Sequence, residues 1–274
     1  VVDITLNGIS EQNCVSRSKN KDVSIVTERP YQFPKPGTKA LRRRPVIIGS
    51  GPAGLFCCYM LAQNGYRPIL LERGKDVEAR KKDVEAFWNG GPLNPESNVS
   101  FGEGGAGTFS DGKLTTRVGD PLCAFVTGAF LDHGAPADIA WRQKPHVGTD
   151  LLRDVIRSIR GEIESLGGDV RFNTALTGLQ IRNGALTGID TTAGNVACEQ
   201  LILAVGHSAR DTFAMLYELG LPLACKPFSV GFRAEHLQTE IDKSLYHGAA
   251  GHPALPKGEY QLSQHVSGGR CVYT

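Results

Sequence analysis

An α/β fold built on a central parallel sheet follows from three features of this 274-residue sequence. Two short segments, the continuous apolar run "PVIIG" from Pro45 and "RPILLE" with its apolar centre, ending at Glu72, read as buried strands of a parallel sheet. The segment between them, "PAGLFCCYMLAQNG", reads as a helix stopped at Gly65. Between residues 169 and 206 a series of short alternating segments is punctuated by Asn183-Gly184 and Ala193-Gly194, the signature of a β-meander.

The remaining elements follow in order. Residues 1–40 read as the remnant of a preceding domain and an extended linker, with Pro30, Pro34 and Pro36 close together. Arg42, Arg43 and Arg44 read as a solvated flank before the first strand. After Glu72, "DVEARKKDVEAFW" predicts a helix with Val77, Val84 and Trp88 on one side. Residues 120–133 read as helical. "GTDLLRDVIRSIRGEIESLGG" is an amphipathic helix, with Thr149 or Asp150 as its cap and Gly167-Gly168 as its stop. "QLILAVG" is again wholly apolar and reads as a central strand, and "ARDTFAMLYELG" as a further helix. "KPFSVGFRAEH" opens a new strand region, in which Arg233 and Glu235 share one face. The boundaries expected are a remnant at 1–40, a nucleotide-binding domain at 41–215 with room for a helical insertion at about 115–145, and the start of a substrate or cap domain at 216–274.

Composition excludes several classes. The net charge of +2 argues against a dedicated nucleic-acid binder. No apolar run approaches the roughly 20 residues that span a bilayer, and the first residues lack the pattern of a signal peptide. Seven cysteines without a CxxC or paired His/Cys spacing fit a reducing, cytoplasmic setting and give no metal site. Nothing in the sequence bears on oligomeric state.

The chemistry centres on Gly49-Ser50-Gly51-Pro52-Ala53-Gly54. This G-x-G-x-x-G joins a buried strand to a helix, and an acidic residue, Glu72, ends the next strand. Gly49 permits the tight turn, Gly51 lets a pyrophosphate reach the backbone, and Gly54 lets the helix pack close to the sheet. The helix N-terminus offers free N–H groups to phosphate. Glu72 stands where a carboxylate accepts from ribose hydroxyls, which disfavours a 2′-phosphate; NAD and FAD both remain open at this point.

The order of elements resembles the FAD domain of the glutathione-reductase-like flavoproteins. There a meander interrupts the sheet and a late apolar strand ends in a glycine beside the cofactor, here Gly206, just after Ala204. The segments "RPVIIGSGPAGLF", "LERG", "SNVSFGEGGAGTFSDGKLTTR", "KPHVGTD", "LAVGHSARDTF" and "KPFSVGFRAEH" resemble, over about residues 44–274, a bacterial family known as uncharacterised FAD-dependent dehydrogenases or NAD(P)/FAD-dependent oxidoreductases. The resemblance implies FAD as cofactor, NAD(P)H as a candidate electron donor, a small-molecule substrate and hydride transfer to the flavin. It implies that Glu72 and Arg73 contact the adenosine ribose and that Leu176 touches adenine through its backbone. It also implies that this chain is shorter than the family pattern at both ends. In the resembling fold the second glycine-rich stretch, Phe101–Leu114, runs along the cofactor. Gly104, Gly105 and Gly107 would then face it with backbone N–H groups, Thr108 and Ser110 with hydroxyls, and Asp111 and Lys113 would supply the charges at the far end. Lys113, His207 and Arg233 are the candidates for a catalytic role. A CxxxxC dithiol is absent from residues 89–118, which argues against disulfide-reductase chemistry. The other reading is a flavin- or dinucleotide-binding module without turnover.

Overall fold

The computed structural model describes residues 4, 6–25, 31–35, 37–109, 112–114, 116, 120–142, 145–232 and 234–273. The chain divides into two compact units, Val1–Pro222 and Leu223–Thr274.

The first unit is organised by a four-stranded parallel sheet. Its strands are β1 (Val46–Ile48), β2 (Ile69–Leu71), β3 (Asp169–Arg171) and β7 (Leu201–Leu203), in the order β3-β2-β1-β7. β1 and β2 are buried at every position, as their unbroken apolar runs predict. In the same register Ile47 pairs with Leu70 on one side and with Ile202 on the other. β7 is therefore an edge strand among the described residues, not the central one that its apolar run suggested, and Leu203 is accordingly exposed.

Helix α1 (Glu11–Ser18) buries none of its residues. Helices α2 (Pro52–Gln63) and α5 (Thr149–Ser165) pack on one face of the sheet, joined by α4 (Pro121–Asp132). The main core forms there, from Ile47, Leu55 and Leu70 through Phe130 to Ile156, Ile159 and Ile163. α5 has Gly148 as its N-cap and no side-chain cap, so neither Thr149 nor Asp150 caps it; Asp150 sits in the first turn. The opposite face carries the meander: β4 (Leu176–Arg182), β5 (Ala185–Thr191) and β6 (Gly194–Val196). Its first turn holds Asn183 and Gly184, both at positive φ, as a two-residue hairpin requires. Arg44 is not simply a solvated flank. Its guanidinium donates to the carbonyls of Arg67, Pro68 and Gly167, tying the entry of β1 to the approaches of β2 and β3.

Helix α3 (Val77–Trp88) buries Val77, Arg80 and Val84, while Trp88 is 60% exposed and meets the edge of Phe109. The face expected to be apolar thus carries a buried arginine at its middle, spaced i, i+3, i+7. Helix α6 (Arg210–Glu218) follows β7.

The second unit contains helix α7 (Gln238–Tyr246) and a hairpin of β8 (Ser263–Val266) and β9 (Arg270–Tyr273). The strand expected in "KPFSVGFRAEH" is not formed at residues 226–232 or 234–236. Phe228, Val230 and Phe232 alternate correctly but stand exposed, and none of the strands formed among the described residues includes them. Arg233 lies outside the described residues.

Candidate functional site

The three glycines of the first motif do three different jobs. Gly49 sits at φ +98, and a Cβ there would lie 2.5 Å from the Ala204 carbonyl oxygen, so the turn and the close approach to β7 both demand glycine. A Cβ on Gly54 would come within 1.8 Å of the Gly49 carbonyl oxygen, which is how α2 lies so near the strand. At Gly51 the space that a Cβ would occupy is empty. Gly51 is also the N-cap of α2, and Pro52 opens the helix. The first-turn amides of Ala53 and Gly54 consequently have no acceptor within the helix.

Above that helix end lies a crevice of about 530 Å³, within the range of nucleotide and ligand sites. Gly49, Gly51, Pro52 and Ala53 form its floor. Glu72 and Arg73 line one end together with Thr174, Ala175 and Leu176 from the start of the meander. Ala204, Gly206 and His207 line it after β7, and Thr212, Phe213 and Leu216 from α6.

The second glycine-rich stretch meets the first here. The Gly104 N–H donates to the Ser50 carbonyl at 2.9 Å. A Cβ on Gly105, which sits at φ +65, would lie 3.0 Å from Pro52 Cδ. Residues Gly105–Phe109 form a short 3₁₀ helix. That turn sorts its residues. Gly105 lines the crevice, as do Phe101, Gly102 and Ala106, which sequence reasoning did not single out. Gly104 and Gly107 are three apart and share the other side, toward Ile156 and Leu152 of α5. The Thr108 hydroxyl is buried and donates to the Gly105 carbonyl, so it faces the protein interior and not the crevice. Ser50 and Gly54 are likewise buried beneath the floor. Ser110 and Asp111 lie outside the described residues. Lys113 is exposed and pairs through its backbone with His146, and it does not line the crevice.

What holds the stretch in place is a buried charge network that the sequence concealed. Arg80 is 0% exposed, and its guanidinium donates to the carbonyls of Asn98, Val99, Glu103 and Gly105 and to the Thr108 hydroxyl. Burial pulls this guanidinium down to about 10, against the opposing pull of Glu72 and Glu103. Glu103 is also fully buried. It accepts from the Val77 N–H at 2.8 Å and from Arg160 Nε at 2.7 Å. Burial nonetheless pushes its carboxyl above the usual range, Arg160 opposing. The one signal in the sequence was the i, i+3, i+7 spacing of Val77, Arg80 and Val84, which puts an arginine on a buried face.

Glu72 closes the arrangement. Its Oε2 accepts from the Ser50 N–H and from the Ser50 hydroxyl, each at 2.8 Å. Its Oε1 accepts from the Gly74 N–H at 2.8 Å and the Gly102 N–H at 3.1 Å. Arg73 beside it is bound bidentately by Asp211 at 2.9 and 2.6 Å, bonded to Glu96 at 2.8 Å, and lies 4.6 Å over the Phe101 ring. The hydrogen bonds from Arg73 hold the Asp211 carboxyl below its ordinary value.

Comparison with known proteins places these features. Residues 47–92 match the family model of the NAD(P)-binding Rossmann-like domain, and residues 227–274 that of the FAD-dependent protein, C-terminal domain-like. Two stretches of the chain thus match domain models, one Rossmann-like and one named for FAD-dependent proteins. An uncharacterised protein of Clostridium beijerinckii is 47% identical over 253 residues, covering 92% of this chain and 48% of that protein. The ribosomal RNA dihydrouridine synthase of Escherichia coli is 28% identical over 167 residues, covering 59% of this chain and 38% of that protein. The chain therefore spans about half the length, or less, of these curated relatives. Among solved structures, glycine oxidase from Bacillus cereus is similar at a TM-score of 0.41 and 15% identity, over 66% of this chain and 60% of that one. THI4 from Thermovibrio ammonificans is similar at 0.42 and 14%, over 66% and 64%. No helix among the described residues is long and apolar enough to cross a membrane.

Proposed function

We propose that the crevice holds the adenosine diphosphate end of FAD, and that the chain is the nucleotide-binding part of an FAD-dependent oxidoreductase. The observation that carries this reading is the meeting of the two bare-backbone segments, Gly104–Gly105 against Ser50–Pro52, on one crevice. The empty space at Gly51 suits a phosphate group, which a side chain there would displace. The Ala53 amide and the positive end of the α2 dipole suit its charge. Ala175, Leu176, Gly206, Gly105 and Ala106 line the same crevice. Flavin, when bound, supplies a hydride-accepting N5, so the protein's task is to bind and orient it. In this reading hydride comes from a reduced small-molecule substrate or from NAD(P)H. The seven cysteines, none of them in a disulfide among the described residues, support a reducing, cytoplasmic setting.

The test is reconstitution. The chain is incubated with FAD and passed through gel filtration, and the absorbance of oxidised flavin is read in the protein peak. Co-elution is expected, and a colourless peak would overturn the FAD assignment. Bleaching of the bound flavin by NADH or NADPH under anaerobic conditions separates an oxidoreductase from a passive flavin binder. The relative named as a ribosomal RNA dihydrouridine synthase adds a second substrate class, a uracil ring in RNA. Reoxidation of the bleached protein by ribosomal RNA tests that class directly.

A further inference from the structure

The chain-wide charge of +2 conceals an asymmetry. Residues 1–44 hold nine lysines and arginines against four acidic residues, a net +5, so residues 45–274 carry −3. Such an imbalance between parts of one chain points to a polyanionic partner. The structure gives the basic segment a place. The Tyr31 ring meets Phe125 of α4, and the Phe33 ring meets Tyr66, just before β2. Arg44 ties the end of the segment to the carbonyls of Arg67, Pro68 and Gly167. Residues 31–44 are thus fastened at both ends to the first unit. Arg44 fixes their exit at the amino-terminal end of the parallel strands, whereas the crevice lies at the carboxyl end.

Lys35, Lys39, Arg42 and Arg43 are exposed along this segment, and Arg67 is exposed beside its anchors. None of the five side chains is joined to a carboxylate among the described residues, while Arg73, Arg153, Arg157 and Arg160 elsewhere in the unit are each paired with one. Asp169, at the start of β3, is already shared by Arg44 and Arg171. None of the five lines the crevice. Strung along an open segment, they suit a linear array of charges and not one small anion.

We propose that this edge binds the phosphodiester backbone of a nucleic acid, at the opposite end of the strands from the crevice. The proposal goes beyond the reading of the crevice and does not depend on it.

Fluorescence anisotropy of a labelled oligouridylate titrated with the chain tests this. Neutralising four phosphates of a single strand predicts a log–log salt slope of about −3; no binding, or a slope shallower than about −1, would overturn the proposal. The double variant Arg42→Glu, Arg43→Glu is expected to bind at least about tenfold more weakly with an unchanged melting temperature, since both side chains are exposed. Equal affinity in that variant would overturn the assignment of this edge. An oligothymidylate of the same length should bind within about threefold of the RNA, and a preference of about tenfold either way would show that bases or sugars, not the backbone, are read. Tighter binding to phosphatidylserine vesicles than to either strand would assign the edge to a membrane surface and overturn the proposal. FAD binding, read in the same samples, tests the crevice separately, so the failure of one reading is distinguishable from the failure of the other.

Discussion

Gly51 and Gly54 stand three residues apart, and their replacement by alanine separates binding from folding. At Gly51 the backbone is at φ −66 and ψ −179, open to any residue, and the added methyl meets no protein atom. Gly51→Ala is expected to leave the melting temperature within the range of an ordinary surface change, about ±0.5 kcal/mol, while nucleotide affinity falls at least tenfold. Gly54→Ala forces a methyl into the Gly49 carbonyl and is expected to destabilise by about 1–3 kcal/mol or more. Parallel thermal melts and calorimetric titrations check both; equal stability loss in the two variants would contradict the assignment. The Arg73–Asp211 pair makes a pH-dependent contribution. Because the folded Asp211 pKa is depressed, that contribution is complete above the unfolded carboxylate value of about 4 and disappears as pH falls through the lower folded value. The stability difference between the wild type and Asp211→Asn should accordingly be present at pH 7 and close in acid below pH 4. The three glycines were legible in the sequence because their spacing encodes steric demands. Glu72 was legible as a position and not as a set of partners, since the donors that saturate it come from Ser50, Gly74 and Gly102, distant in the chain or unremarkable in it.

At the scale of the element, α3 is the piece that sequence patterning described least well. In "EARKKD" one arginine among several charges goes inside, and nothing in composition separates Arg80 from Lys81 or Lys82. The reason is tertiary: the carbonyls it serves lie 18 to 25 residues further on, in a segment whose path the sequence does not fix. Arg80→Met keeps much of the bulk but strands those carbonyls and leaves Glu103 short of compensating charge. A loss of about 3–5 kcal/mol is expected in urea unfolding, as for breaking a buried ion pair from one side. Arg80→Lys should recover little of it, because an ammonium offers three donors and no planar fork. Wild-type stability in Arg80→Met would show that the 3₁₀ turn holds itself. The same limit explains β7. An apolar run signals burial on both faces, but it does not say whether another strand lies beyond, so an edge strand was read as a central one. "KPFSVGFRAEH" shows the reverse error, in which an alternating pattern was taken for a strand although none of the strands among the described residues includes it.

Over the whole molecule, the parallel sheet, the meander and the α2 and α5 layer were all readable, because each rests on a local period or a turn. The convergence of residues 49–54 with 101–109 was expected only through family resemblance, and its physical basis, the Arg80–Glu72–Glu103–Arg160 network, emerges only in three dimensions. A ligand that binds this crevice should stabilise the first unit as a whole. At a hundredfold excess over its Kd, FAD is expected to add about 2.7 kcal/mol to unfolding, visible as a concentration-dependent rise in melting temperature. No rise up to millimolar FAD would argue against binding to the folded chain. The β7 edge has a consequence for handling the protein. A row of backbone donors and acceptors beside an exposed Leu203 is a template on which another copy can add a strand. Light scattering should show particle size growing with concentration, and Leu203→Lys should suppress that growth, although Leu203 also lines the crevice.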